Sequence, residues 1–150
     1  MALKYNIFKS MSEKEKRKVL TIIGAKEMSY KKNQLISFAL KNRYLIGVME
    51  TGEANIIRYD YTGERTIVEE LEAGDVFSDM FLSNHASELS VEATKDATVL
   101  FFNYSDLVKK SETSKNALIL FDNLFGVVSQ KMIKRNERIE LLSARSIRNK

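Results

Sequence analysis

Residues 44–77 read YLIGVMETGEANIIRYDYTGERTIVEELEAGDVF, and they carry the argument for a β-rich core. Three runs rich in β-branched and aromatic residues stand out: Tyr44–Met49, Ala54–Tyr59 and Thr66–Leu71. Thr51-Gly52-Glu53 and Asp60-Tyr61-Thr62-Gly63-Glu64 separate them, and Ala73-Gly74-Asp75 follows the third. Short runs of this kind bounded by turn residues read as strands, and the first two separators read as consecutive hairpin turns. The texture extends outward on both sides. Gln34–Phe38 precedes it, Lys41-Asn42 makes a turn, and Leu89–Ala93 and Thr98–Asn103 follow with Lys95-Asp96 between them. Many short strands with regular punctuation predict a sandwich or barrel. No long helical pattern interrupts the stretch, which argues against a parallel α/β sheet.

Helices flank the strands. Ser12 followed three residues later by Glu15 is a capping-box pattern, and Gly24 stands where a helix would stop, predicting a helix over 12–23. Ser105 is expected to cap a short helix, and a long one begins after Ser114. In it Leu118, Phe121, Phe125, Val128, Met132, Arg135, Ile139 and Leu142 recur at alternating spacings of three and four, with Leu124 and Ile133 widening the stripe. Such a seam either packs on its own domain or joins two copies. Its length favours a symmetric homodimer along these eight residues. Ser143–Lys150 resembles a new capped start.

Composition narrows the function. With 44% hydrophobic and 29% charged residues the chain is ordinary for a globular domain of 150 residues. No apolar run approaches the roughly 18 residues of a membrane span. Met1-Ala2-Leu3-Lys4-Tyr5 lacks the apolar core of a signal peptide, so a cytoplasmic location and no membrane partner are expected. There is no cysteine and a single histidine, His85, so no metal site and no cofactor are expected. Charge is uneven: residues 51–106 hold 3 Lys/Arg against 12 Asp/Glu, whereas both flanks are basic. The acidic middle is a poor place for a multiply charged anion.

Gly52, Asp60-x-x-Gly63-Glu64 and Gly74-Asp75-x-Phe77, between a short helix and a long one, make the chain resemble the Crp/Fnr sensor domain. Leu141-Leu142-Ser143-Ala144-Arg145 is similar to that family's hinge. The resemblance covers essentially the whole chain. It implies an antiparallel, double-stranded β-roll (jelly-roll or cupin-like) with a pocket over 1–114, a dimerisation helix over 115–142 and a hinge stub over 143–150. The family's winged helix-turn-helix is expected to be absent here, so DNA would be reached only through a further C-terminal domain.

By the same resemblance, Asp79 takes the place of the glutamate that binds the ribose in nucleotide binders. Ser87 stands where their arginine should be, and Glu88 where their serine should be. The connecting loop, Phe81–Ala86, is shorter than theirs, and no Arg or Lys occurs between Arg65 and Lys95. A partly buried phosphate needs a guanidinium or several N–H donors, and a carboxylate there repels it. Cyclic AMP is therefore disfavoured, and an unknown small molecule is expected instead. Its pocket would be lined by Phe77, Met80, Phe81, Leu82 and Leu89 from the roll. Met132, Arg135 and Asn136 would approach from the long helix.

Arg135 carries two readings. It is either a register-setting polar residue, pairing with Glu137 or Glu140, or the counter-charge for a carboxylate or phenolate effector. Haem would have to rely on His85, which reads instead as an exposed loop residue. A cupin-type enzyme needs clustered metal ligands that one histidine cannot supply, and no nucleophile–base pair is visible, so no enzymatic activity is expected. Lys14-x-Lys16-Arg17-Lys18 and Lys131-x-x-Lys134-Arg135 read as solvated or seam-adjacent charge rather than a base-reading module. The expected function is an effector-sensing, dimerising domain of a transcription regulator. The alternative is a ligand-free dimerisation scaffold.

Overall fold

Ser12 opens α1 (Glu13–Ile22) through a reciprocal capping box: its hydroxyl accepts from the Glu15 N–H at 3.1 Å, and the Glu15 carboxylate accepts from the Ser12 N–H at 3.0 Å. These bonds hold the Glu15 carboxyl below its usual range. The helix stops where expected, the Ala25 N–H bonding back to the Leu20 carbonyl beyond Gly24. This computed structural model describes residues 6–36, 45–78 and 89–148, with side chains described as far as Lys131.

Seven strands follow α1 among the described residues: β1 (Lys26–Tyr30), β2 (Leu45–Thr51), β3 (Glu53–Tyr59), β4 (Arg65–Glu72), β5 (Val76–Phe77), β6 (Leu89–Ala93) and β7 (Ala97–Asn103). They pair antiparallel in two sheets, ordered β1-β7-β2-β5 and β4-β3-β6. This is the β-roll expected. The chain ends in α2 (Tyr104–Ser111) and α3 (Lys115–Arg148).

Five details differ from expectation. Over Gln34–Phe38 the described part, to Ile36, makes one bridge, Leu35 to Glu92, rather than a strand; residues 37 and 38 lie outside the described residues. No sequence signal announces β1, because KEMSY is polar and lacks alternation. It survives as a mostly exposed edge strand paired only to β7. Two-residue β5 is too short to carry a pattern. Asn103, not Ser105, caps α2: its side-chain oxygen accepts from the Ser105 N–H at 2.9 Å, because the β7 backbone stays extended through Asn103. Finally, α3 runs through Ser143 to Arg148, since Ser143-Ala144-Arg145 contains neither glycine nor proline to break it.

One turn also changes meaning. Asp60–Glu64 is a true hairpin between β3 and β4, its Asp60 carboxylate accepting from Thr62 and Glu64. Thr51-Gly52-Glu53 is not a hairpin, because β2 and β3 belong to different sheets. It is the corner where the chain crosses between them. Gly52 has φ +83°, and a Cβ there would lie 2.2 Å from the Asp96 carbonyl oxygen.

The sheets divide the apolar residues into two cores. Alternation along β7 sends Val99 and Phe101 into the roll, with Met49, Ala54, Ile56, Leu71, Phe77 and Val91. Leu100 and Phe102 face the helices, joining Ile46, Val48, Val19 and Leu107. α3 covers this outer face with Ala117, Leu120, Leu124 and Val127, spaced three and four apart. Asn123 adds a clamp, donating to the carbonyls of Ile7 and Lys9 at 2.8 and 2.7 Å. Leu124, counted in the widened seam, is therefore core of its own domain.

Candidate functional site

The interior of the roll is where the sequence places the pocket. Its floor is made by β2, β5 and β7. The absent side chain of Gly47 on β2 leaves room for the ring of Phe77, its partner on β5: a Cβ at 47 would lie 2.4 Å from Phe77 Cζ. The Phe101 ring meets Phe77 nearly perpendicularly, with centroids 6.2 Å apart. Phe77 is 1% exposed. Next to it the buried Ser78 hydroxyl donates to the Leu45 carbonyl at 2.9 Å, so the chain leaving β5 is tied to the start of β2.

The wall opposite is β4-β3-β6. Ala54 and Ile56 of β3 point inward, as do Ala93 and Val91, their partners on β6. Past a register shift against β4 between Ile56 and Ile57, Arg58 pairs with Leu89 and on the other side stands opposite Thr66 of β4. Leu89 packs partly buried against the same apolar cluster as Phe77. The Arg58 Nε is buried and has no hydrogen-bond partner.

α3 reaches the roll through Lys131. Its ammonium donates to the Val76 carbonyl at 2.6 Å and to the Glu69 carboxylate at 2.9 Å, linking the helix to β5 and β4 at once. Lys131 continues the helix face that begins at Ala117, four residues past Val127.

Of the site residues expected from the sequence, the structure brings Phe77 and Leu89 into one cluster. Asp79, Met80, Ser87 and Glu88 lie outside the described residues, as do Phe81, Leu82 and His85. Arg135 and Asn136 lie on α3, one turn beyond Lys131, in the part described by its backbone alone; Met132, Ile139 and Leu142 share that position. In the earlier part of the seam Leu118 and Phe125 are 46% and 68% exposed, whereas Phe121 and Val128 pack partly against their own core. The sequence alone does not single out Arg58 or Glu69, and it reads Lys131 only as seam-adjacent charge. A signal existed for Arg58, an arginine in phase with Ala54 and Ile56, but apolar Ile57 obscures that phase.

Among the described residues no group of three or more His, Cys, Asp or Glu could hold a metal ion. Among them, too, no helix is long and apolar enough to cross a membrane.

Comparison with solved structures finds this architecture repeatedly. The catabolite activator protein of Thermus thermophilus superposes with TM-score 0.71 at 17% identity, covering 91% of this chain and 62% of its own. This chain thus spans about three fifths of that protein's length. A CooA variant from Carboxydothermus hydrogenoformans gives TM-score 0.63 at 17% identity, covering 93% of this chain and 88% of the other. A cyclic nucleotide-binding domain from Methylobacillus flagellatus gives 0.66 at 14% identity, covering 88% and 74%. A search of curated proteins found no match. Residues 27–114, from β1 through α2, match the family model for the cyclic nucleotide-binding domain, and the chain belongs to that family.

Proposed function

We propose that this chain is the effector-sensing and dimerising part of a Crp/Fnr-type transcription regulator, answering to a small molecule other than cyclic AMP. The observation that carries the reading is the division of α3 into two faces. Ala117, Leu120, Leu124, Val127 and Lys131 hold the helix on its own roll, and Leu118 and Phe125 leave apolar surface uncovered beside them. A helix bonded to the roll on one face and free to pair on another can pass a change in the roll to a second copy. The roll over 1–114 would be the sensor, and DNA would be bound by a further domain. Ser87 and Glu88 in place of arginine and serine support an effector that is not a cyclic nucleotide.

The test is calorimetric titration of the chain with cyclic AMP, together with its mass in solution by light scattering. The expected result is a dimer that Leu118→Glu with Phe125→Glu converts to a monomer, and no heat with cyclic AMP. A monomeric parent chain, or micromolar cyclic AMP binding, would sink the respective half of the reading.

A second reading, a dimerisation scaffold with no effector, is favoured by Phe77. Its ring occupies the space over Gly47 and packs edge-on against Phe101. Ligand-induced stabilisation by any small molecule that depends on roll residues would decide against it.

A further inference from the structure

Among the described residues of the roll, one buried polar atom has no hydrogen-bond partner. Arg58 follows Ala54 and Ile56 along β3, between Leu89, which packs on the apolar cluster, and Thr66. Among the described residues its Nε is the one buried side-chain nitrogen or oxygen atom left without a hydrogen bond. A buried donor in that condition is destabilising, and guanidinium cannot escape by losing its proton. Among the described residues, the two other cations of segment 51–106 and Lys131 of α3 are paired. Arg65 pairs with Glu92 at 3.2 Å, Lys95 with Glu53 at 3.3 Å, and Lys131 with Glu69 at 2.9 Å.

We propose that Arg58 is the recognition residue for an effector carrying a single carboxylate, whose apolar body lies against Leu89 and the roll cluster. This rests on the sensing function proposed above and names the chemical class of its effector. A planar guanidinium presents a fork that fits a carboxylate with two parallel bonds. One spare cation matches one negative charge. The surrounding segment 51–106 carries 12 Asp/Glu against 3 Lys/Arg, a field that opposes any effector with more than one. The role of counter-charge, which the sequence offered to Arg135, thus falls to a residue on the roll itself.

The test uses the full chain and two isosteric pairs of probes, benzoate with benzamide and acetate with acetamide. Each is followed by thermal unfolding and titration calorimetry on the parent protein, Arg58→Met and Arg58→Lys. At least one carboxylate should raise the melting temperature of the parent in the millimolar range, while its amide does not. Arg58→Met should weaken that carboxylate at least tenfold and, without ligand, should melt higher than the parent because the unsatisfied donor is gone. Arg58→Lys keeps the charge without the fork and should bind between the two; it carries the comparison should Arg58→Met not fold.

Four outcomes would overturn the inference: no response to either carboxylate, equal response to acid and amide, equal response of parent and variants, or a ligand-free Arg58→Met that melts lower. The second and third would leave the sensing function standing, because a ligand would still be bound. Loss of the dimer in the light-scattering test would strike that function and leave the carboxylate result intact.

Discussion

The ammonium of Lys131 lies 2.9 Å from the carboxylate of Glu69, and the same nitrogen donates to the Val76 carbonyl. Together these contacts fasten the long helix to two strands from different sheets. Both side chains are largely covered, so the pair is less screened than one in open water.

Replacing Lys131 by Met should cost about 1–3 kcal/mol, since it removes a charge-assisted bond to a carbonyl as well as the ion pair. Glu69→Gln keeps the carbonyl bond and should cost about 1 kcal/mol or less. Urea unfolding of the two variants measures the difference, and 1 M salt should shrink the Glu69→Gln effect. Equal losses in both would mean that the Val76 carbonyl bond contributes nothing.

Gly47→Ala should destabilise by about 1–3 kcal/mol, because its Cβ would stand 2.4 Å from the Phe77 ring, inside contact distance. Pairing it with Phe77→Leu should recover part of that loss, giving a favourable coupling energy in a double-mutant cycle. Additive losses would show that the two positions do not share space as the structure has them.

Burial and then the Glu27 carboxylate push the Glu50 carboxyl above its ordinary value of 4.5, against the partial help of Lys16 at 3.9 Å. A raised folded pKa means that the folded state holds the proton more tightly. The stability this contributes is fully present below 4.5 and is lost as pH rises through the raised value. Glu50→Gln, which stays neutral, should therefore melt higher than the parent at pH 8, with the advantage vanishing toward pH 4. A variant that melts lower at pH 8 would mean that the Lys16 pair outweighs burial.

The strands β2, β3, β4, β6 and β7 and all three helices were legible in the sequence because their signals are local. β-Branched runs, the Asp60–Glu64 turn and the Ser12 capping box act over a few residues and need no partner. β1 was not legible, because a polar edge strand is made by its pairing with β7 and not by any pattern of its own. The heptad spacing gives the long helix one stripe where there are two. Leu124 and Phe125 are neighbours in sequence, yet one is core and the other exposed, and a heptad count cannot tell which face meets the roll.

By itself, then, the sequence determined the strand-rich class, the helical flanks and the lack of thiolate chemistry, since each follows from composition or short-range spacing. Only the tertiary structure decided that Gly52 turns between sheets, that Gly47 makes room for Phe77, and that Lys131 reaches two strands. It also decided that the Arg58 Nε is buried and unsatisfied. Those relations join residues far apart in the chain, and their energies come from distances and burial that exist only once the two sheets close on each other.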